Sequence, residues 1–395
     1  MTKITPAARI ASFKPYFFAT LTQQIAKLRA QGMEVIRIDM GSPDLPPPDF
    51  IIDSLIENAK RPDVHGYAPM GGTLAFKQAV AQYYKSRFDV DLDPAHEILG
   101  LIGSKEGLFH LSQVLIDQGD TVLVPNPGYP VYRASGIIAG ANVYDIPLMK
   151  ENGFLPDFSS IPADIARRAK ILWLNYPNNP TGATAPLRFF QDAIDFGRQY
   201  NIIIAHDAPY CDVCYGDYRA PSILQIPGAR EVAIEFNSLS KTYNMAGWRL
   251  GMAIGNPQVI EYLNTYKSQL DTSHFLAIFE AGITALVGDQ SWLVERNQIY
   301  AERMQIVLDG LRAVGFEITP PSASIYIWAR LPGGLMNSVQ FCEQLLLETG
   351  VSTTPGSVYG SHGEGYLRIS LGTDTPRIRE AVSRIQKWMS ERGNS

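Results

Sequence analysis

The sequence has no features that would place it among membrane-spanning, secreted or strongly charged proteins. No apolar segment of the 395 residues is long enough to cross a bilayer, and residues 1–6 lack the apolar core of a signal peptide. The net charge is only −5, without a long run of one sign. We therefore expect a cytoplasmic protein with no membrane and no nucleic acid as partner.

Cysteine is scarce. The chain has three, Cys211, Cys214 and Cys342, and an odd number in a long chain argues against a disulfide framework. The first two form a C-x-x-C pattern, but a zinc site needs about four ligands, and neither a second such pair nor paired histidines lie nearby. We predict buried structural cysteines and no metal site.

The composition, 46% hydrophobic and 18% charged, is that of an ordinary globular protein. The length exceeds what one core usually serves, so two domains are expected. Seven short apolar runs alternate with helical stretches, which predicts a mostly parallel, doubly wound α/β sheet. The runs cover 97–102, 121–124, 142–146, 170–174, 201–205, 231–236 and 250–254.

The pattern changes towards both ends of the chain. A lead-in followed by a helix is predicted over 13–32, and a short strand over 35–40. After residue 288 we predict a long helix (290–313), short strands (316–318, 324–329 and 366–371) and a last helix (375–391). The predicted division is an N-terminal segment (1–40) that packs with the small domain, a large domain (41–287) and a small α+β domain (288–395).

Polar groups follow several predicted strands. Ser104 and Lys105 open a helix directly after Gly103, and such a helix start binds anions. The sequence of this segment matches neither the dinucleotide-binding motif nor the Walker A motif. Tyr129, held between a glycine and a proline, could stack on a flat ring, and Asn179 could donate to an oxygen. Ordinary turns are the alternative in each case.

Asp207 and Lys241 carry the strongest chemical signal. Asp207 leaves an apolar strand, where a carboxylate needs a cationic partner such as a protonated pyridine nitrogen, although a helix N-cap is the alternative. Lys241 follows another strand, between hydroxyls and near an arginine, where a desolvated lysine can form a Schiff base. A Schiff-base lysine, an aspartate and a phosphate-binding helix start are the parts that pyridoxal phosphate requires.

The whole chain resembles the class I/II pyridoxal-phosphate aminotransferases of fold type I. The resemblance rests on Asn-Pro-Thr-Gly at 179–182, on Asp207-x-x-Tyr210, and on Ser238-x-Ser240-Lys241 followed by Gly-Trp-Arg at 247–249. It implies a large domain with a mostly parallel seven-stranded sheet and a smaller α+β domain.

The resemblance also implies roles for matching residues. Lys241 would be the Schiff-base lysine and proton carrier, Asp207 the partner of the ring nitrogen, and Tyr210 a catalytic hydrogen-bond donor to the ring. The implied cofactor-binding set is Tyr67 (reaching the neighbouring subunit), Ser104, Lys105, Tyr129, Asn179, Asp207, Tyr210, Ser238, Ser240, Lys241 and Arg249. The implied substrate-binding set is Gly41, Asn179 and Arg368, with Arg368 on the α-carboxylate. A homodimer with shared active sites is expected.

The expected activity is transfer of an amino group between an L-amino acid and a 2-oxo acid, with glutamate and 2-oxoglutarate as one pair. The sequence around Lys105 resembles that of the branch that contains LL-diaminopimelate and alanine/glutamate aminotransferases. Lys105 could bind a second substrate carboxylate. Alternatively Lys105 pairs with Glu106. A β-lyase or decarboxylase on the same scaffold, or a non-catalytic regulator that binds pyridoxal phosphate, are the other functions considered.

Overall fold

The computed structural model describes residues 4–11, 13, 16–333 and 336–393. The strands are β1 (Ile36–Arg37), β2 (Ile98–Ile102), β3 (Thr121–Asn126), β4 (Asn142–Pro147), β5 (Ala169–Asn175), β6 (Ile203–Asp207), β7 (Ala233–Ser238), β8 (Leu250–Gly255), β9 (Glu317–Ile318), β10 (Tyr326–Arg330), β11 (Val351–Ser352), β12 (Thr354–Pro355) and β13 (Tyr366–Ser370).

The α-helices are α1 (Ala8–Ala11), α2 (Phe17–Ala30), α3 (Asp49–Ala59), α4 (Leu74–Phe88), α5 (Ser104–Leu115), α6 (Pro130–Ala139), α7 (Ala163–Ala166), α8 (Leu187–Tyr200), α9 (Leu239–Thr242), α10 (Pro257–Lys267), α11 (Leu276–Val287), α12 (Trp292–Arg312), α13 (Ser338–Thr349) and α14 (Thr375–Gly393). None of the helices in the described ranges combines the length and the apolar character that a membrane span requires.

Seven strands form the large sheet, in the order β2-β8-β7-β6-β5-β3-β4. Neighbours run parallel except at β8, which is antiparallel to both β2 and β7. The predicted mostly parallel, seven-stranded sheet is therefore confirmed. Its central strands are buried along nearly their whole length because helices cover both faces.

Alternate residues of each central strand supply two apolar layers. On β5, Leu172 and Leu174 join the layer under α4, α8 and α11, whereas Ile171 and Trp173 join the layer under α5, α6 and α10. This alternation follows from the two-residue period of a strand. The sheet is thus held from both sides, which fixes where its strands end.

A second sheet, in the order β12-β13-β10-β9, is antiparallel and packs against α12, α13 and α14. The N-terminal part of the chain joins this layer. Strand β1 pairs with β11, and Leu21, Ile25 and Leu28 of α2 pack with Leu346 of α13. The confirmed fold class is a large α/β unit with a smaller α+β layer; the domain boundaries at 40/41 and 287/288 stay predictions.

Helix α2 agrees with expectation, whereas β1 and α11 differ from it. The helix predicted after a lead-in within 13–32 is α2, and residues 14 and 15 of the lead-in lie outside the described residues. The strand predicted over 35–40 shortens to β1 because its partner β11 has only two residues. Helix α11 was not predicted, since it is apolar almost throughout and lacks the contrast between faces that reveals a helix.

The topology gathers the polar segments at one edge. Strands β2, β3, β5, β6 and β7 point the same way, so their carboxyl ends meet there, and open α/β sheets bind ligands at this edge. Arg249 precedes β8, and because β8 runs the opposite way it begins at the same edge.

One backbone contact at this edge depends on glycine. A Cβ on Gly251 would lie 2.6 Å from the amide nitrogen of Ser104, and this neighbour is backbone that cannot rotate away. We expect Gly251→Ala to reduce the free energy of unfolding by about 1–3 kcal/mol through overpacking. It should also weaken the binding of phosphate ligands, because α5 must shift.

Urea unfolding and calorimetric titration with a phosphate ligand measure both effects. Gly333→Ala is the control, since a Cβ there meets no atom within 4 Å, and its unfolding free energy should stay within about 0.5 kcal/mol of the parent. Unchanged stability and phosphate affinity in Gly251→Ala would show that the contact is not limiting.

Candidate active site

A cavity of about 370 Å³ opens at the carboxyl edge of the large sheet, and the small sheet supplies part of its wall. Every predicted site residue except Tyr67 lines it: Gly41, Ser104, Lys105, Tyr129, Asn179, Asp207, Tyr210, Ser238, Ser240, Lys241, Arg249 and Arg368. Residues more than 300 positions apart in the chain thus meet in one place.

Tyr67 lies outside the cavity, and 89% of its surface is exposed in the single chain. A tyrosine side chain that is so exposed in a single chain is often covered by a partner in the assembled protein. Its position is compatible with the expected contact to a neighbouring subunit, which stays a prediction.

Asp207 ends β6 and is only 4% exposed. Its Oδ2 accepts a hydrogen bond from the Tyr132 hydroxyl at 2.7 Å, while its buried Oδ1 has no partner in the described part of the chain. Burial raises the pKa of Asp207 to about 7, although the Tyr132 hydrogen bond and the charge of His206 oppose the shift.

The free Oδ1 is therefore an acceptor that a cationic N–H of a ligand would satisfy, which fits a protonated pyridine nitrogen. The N-cap alternative is not what the structure shows, because a turn follows Asp207 rather than a helix.

Lys241 lies on the short helix α9, and its Nζ donates to the carbonyl oxygen of Gly41. Desolvation in the cavity lowers its pKa to about 8, and the positive charges of Arg368 and Arg249 act in the same direction. An amine with this pKa is partly unprotonated near neutral pH, so it can act as a nucleophile and can accept a proton.

The start of α5 is built to receive an anion. Gly103 is the N-cap and provides no side-chain cap, so the first amides of the helix are left for a ligand. Gly103 has φ +73°, and a Cβ there would lie 2.2 Å from an Arg249 guanidinium nitrogen. Glycine thus lets Arg249 lie over the helix start, and Ser238 and Ser240 line the same wall. Helix amides, two hydroxyls and a guanidinium form a fitting set for a phosphate.

Arg368 enters from β13 of the small sheet and is 3% exposed. It donates to Asn179 Oδ1 at 3.0 Å and to the Asp39 carbonyl at 2.7 Å, while its Nε finds no partner among the residues that the structure describes. The guanidinium lies 4.2 Å from the centre of the Tyr326 ring. A buried cation without a carboxylate of its own is suited to bind one from a ligand.

Four residues of the site were missed by sequence reasoning. Tyr132 holds Asp207; Tyr326 exchanges a hydrogen bond of 2.8 Å with Tyr210; Tyr16 and Phe18 line the cavity. Only Tyr132 had a local signal, because it lies three residues after Tyr129 on the first turn of α6 and thus near the same face.

Lys105 also lines the cavity, and desolvation together with the charge of Arg249 lowers its pKa. The alternative partner suggested for it, Glu106, is engaged elsewhere. Glu106 Oε1 accepts a hydrogen bond of 2.6 Å from the buried Lys267. Lys105 makes no ion pair among the described residues, so its charge is available to a ligand.

The cysteines do not contribute to the cavity. All three are free and buried, and burial raises the pKa of Cys214 to about 11. Such thiols are protonated near neutral pH and unreactive. In the described ranges no group of potential metal ligands comes together.

The raised pKa of Asp207 predicts how the stability of the cofactor-free protein depends on pH. Because the folded pKa (about 7) exceeds the ordinary value of 3.8, the folded state binds the extra proton, and stability is lost as the pH rises from about 4 through 7. Asp207→Asn removes this loss and keeps an acceptor for Tyr132. We expect the variant without cofactor to be more stable than the parent at pH 8, by up to about 4 kcal/mol, with little difference at pH 4.

Urea unfolding of both proteins across this pH range measures the difference. Tyr132→Phe serves as a control that keeps the carboxyl group. A difference between Asp207→Asn and the parent that does not change with pH would contradict the assignment.

Comparison with known proteins agrees with this geometry. The family model described as "Aminotransferase class I and II" matches residues 33–385. The LL-diaminopimelate aminotransferase of Moorella thermoacetica is 48% identical over 98% of each chain, and that of Syntrophobacter fumaroxidans is 49% identical over 96% of this chain and 98% of its own. The substrate-bound structure of BacF from Bacillus subtilis is 36% identical, covers 98% of each chain and superposes with a TM-score of 0.94.

These matches extend over nearly the whole chain and include the sheet edge, the small sheet and the cavity between them. The predicted fold type, enzyme class and cofactor are confirmed by them. The protein belongs to the class I and II aminotransferases, enzymes that depend on pyridoxal phosphate and move an amino group between an amino acid and a 2-oxo acid.

Proposed function

We propose that this aminotransferase exchanges amino groups between LL-diaminopimelate and 2-oxoglutarate, forming glutamate. The names of the relatives at 48% and 49% identity support this substrate. The observation that carries the proposal is Lys105, a cation at the cavity that has no carboxylate partner among the described residues.

The basic side chains of the cavity can each be assigned an anionic group of the cofactor or the substrate. Its ionisable lining has four basic side chains, Lys105, Lys241, Arg249 and Arg368, and one carboxyl group, Asp207. Arg249 would bind the phosphate of the cofactor, and Arg368 would bind the α-carboxylate of the substrate. Lys105 is then left for a third anion. LL-Diaminopimelate has a second carboxylate, and so have glutamate and 2-oxoglutarate.

The cofactor is held by several groups of this chain. The first amides of α5, the hydroxyls of Ser238 and Ser240, and Arg249 would bind the phosphate. Asp207 Oδ1 would keep the ring nitrogen protonated, which a carboxylate does only while it stays buried and charged. When bound, pyridoxal phosphate supplies an electron sink for the pair of electrons left behind when the α-proton is removed.

Further groups orient the ring and the substrate. Tyr129 would pack on the ring face, and Tyr210 and Asn179 would donate to its phenolate oxygen. Arg368, with Asn179 and the backbone of Gly41, would bind the α-carboxylate and so place the α-carbon beside Lys241. Asn179 already accepts a hydrogen bond from Arg368, so the cofactor and substrate subsites share one side chain.

Lys241 would move the proton. Its Nζ, beside Gly41, would take the proton from the substrate's α-carbon and later give it up again, while bound pyridoxal phosphate would supply the electron sink. The lowered pKa suits this task, because an amine with a pKa near 8 both accepts and donates a proton close to neutral pH.

We also propose that the enzyme is a homodimer in which Tyr67 of each subunit contacts the phosphate bound by the other. Tyr67 is exposed, and so is the apolar side chain of Phe275. His65 stacks on Phe275 at 5.4 Å, which joins the two segments into one surface. Apolar exposure of this kind is typical of a protein interface.

Lys105→Gln tests the substrate. The change removes the charge and keeps a side chain of similar length. We expect kcat/KM for LL-diaminopimelate to fall about 10- to 100-fold, as for the loss of one charge-assisted hydrogen bond. Alanine, which has no second carboxylate, is the matched donor and should change less than about threefold.

Initial rates with 2-oxoglutarate as acceptor measure both constants. If the parent enzyme fails to transaminate LL-diaminopimelate, the substrate proposal is wrong. An equal loss with both donors would instead assign Lys105 to the cofactor phosphate.

Mixing two weakened variants tests the shared site. Lys241→Ala lacks the reactive amine, and Tyr67→Ala lacks the group proposed to cross the interface. A mixed dimer contains one site with both wild-type residues. After subunits are exchanged in equal amounts, activity at limiting cofactor should approach about a quarter of the wild-type value. Activity equal to the mean of the two single variants would mean that Tyr67 acts within its own subunit. A monomer in sedimentation experiments would reject the dimer.

A further inference from the structure

Arg296 is a buried arginine at the back of the active site, on helix α12. It is 2% exposed and does not line the cavity. Its Nη1 donates to the carbonyl oxygens of Lys241 at 2.6 Å and Thr242 at 2.8 Å, and its Nη2 donates to the carbonyl oxygen of Asp212 at 2.9 Å. One guanidinium group thus binds three backbone carbonyls from two segments of the large unit.

The burial of this guanidinium group is unfavourable in free energy, because the charge loses its hydration. Arg296 forms no ion pair among the described residues, and burial lowers its pKa. Its guanidinium lies over the rings of Trp292 at 5.3 Å and Tyr300 at 5.7 Å, which compensate part of the lost hydration. A buried cation usually has an anionic partner, so its carbonyl ligands call for an explanation.

The three carbonyls belong to segments that matter for the chemistry. Lys241 and Thr242 are the last two residues of α9, and the last carbonyls of a helix lack partners within it. In the described part of the chain, Arg296 supplies the hydrogen bonds to both of them. Asp212 lies in the turn that follows Asp207 and Tyr210. Arg296 therefore ties the lysine-bearing helix to the turn behind the ring-binding residues.

We infer that Arg296 is a positioning residue for Lys241. Its hydrogen bonds fix the peptide group that follows the Lys241 Cα, and so the direction in which the side chain leaves the backbone. Nζ is thereby held beside Gly41, inside the cavity. The inference rests on the proposed role of Lys241 as the residue that bonds to the cofactor. A displacement of about 1 Å at a reacting atom can cost about 10²-fold in rate.

Lysine cannot replace this arginine. An ammonium group has no planar fork and would reach one carbonyl, whereas the guanidinium spans three. Arg303 provides a matched control on the same helix. It is equally buried (2% exposed), but its hydrogen bonds go to Asp44, to the Thr375 hydroxyl and to the carbonyl of Leu371, and none of them reaches α9 within the described ranges.

The experiment compares the parent, Arg296→Lys and Arg303→Lys, each prepared without cofactor. The first measurement is the affinity for pyridoxamine phosphate, which has no aldehyde and so does not need Lys241. The second is the rate at which added pyridoxal phosphate is captured, followed by absorbance. In that step the Lys241 amine condenses with the aldehyde to form a C=N bond and releases one water. The third is kcat and KM with glutamate as donor.

For Arg296→Lys we expect the capture rate and kcat to fall about 10²-fold. The affinity for pyridoxamine phosphate and KM for glutamate should stay within about threefold, because the phosphate and carboxylate ligands are untouched. Arg303→Lys should keep the parent's capture rate and kcat even where its unfolding free energy is reduced.

Parent-like capture and kcat in Arg296→Lys would overturn the inference, and so would an equal loss in Arg303→Lys, which would indicate a general effect of packing. If Arg296→Lys does not fold, Arg296→Gln is measured in the same way, and if neither folds the residue is a folding element and the inference is wrong. Failure of the parent itself to capture pyridoxal phosphate would reject the proposed role of Lys241 instead, a result that the parent alone reveals.

Discussion

The site depends on a carboxyl group that is buried at the end of a central strand with one oxygen left unpaired. Asp207 cannot move away from this position, because β6 is held between β5 and β7 and covered on both faces. Tyr132 binds one oxygen, the other has no hydrogen-bond partner among the described residues, and the side chain lines the cavity. A buried carboxylate without a cation is energetically unfavourable, so the folded protein favours the binding of a positively charged ring nitrogen beside Asp207. Binding of the cofactor would supply this positive charge, and the other residues of the cavity would surround the same ring.

Positive charge is the second constraint on the cavity. Among the described residues that line the cavity, four basic side chains accompany one carboxyl group, and this excess of positive charge favours the binding of anions. Desolvation in the cavity lowers the pKa of Lys241 most, and the positive charges of Arg368 and Arg249 lower it further. The groups that attract the phosphate and the carboxylates therefore also keep the lysine reactive. Binding and chemistry are linked by one electrostatic field.

The small sheet completes this site. Arg368 lies on β13 yet bonds to Asn179, which follows β5 of the large sheet. Arg296, on α12, bonds to the backbone of Lys241. Both arginines are buried, and each crosses between the two layers. The geometry at the cofactor therefore depends on how the layers pack, and a change in that packing would alter substrate binding and lysine position together.

Much of the architecture followed from the sequence alone. Apolar runs buried on both faces can only be central strands of a parallel sheet, and the carboxyl ends of such strands meet at one edge. This is why Ser104, Tyr129, Asn179, Asp207 and Lys241 could be placed together before their positions were known. Their roles were suggested by residue type, since an amine, a carboxyl group and a helix start each have few uses at such an edge.

The partners of these groups were decided by tertiary structure. Tyr326 and Arg296 carry no sequence pattern that points to Tyr210 or Lys241, and both lie on elements of the other layer. The spacing of Tyr132 from Tyr129 places it near the same face but does not reveal its bond to Asp207. A hydrogen bond between distant residues depends on the angle at which helices and sheets pack, which no local periodicity encodes. The sequence determined which groups reach the edge of the sheet; only the packing of the two layers determined what each of them touches there, and hence the pKa of the lysine and the aspartate.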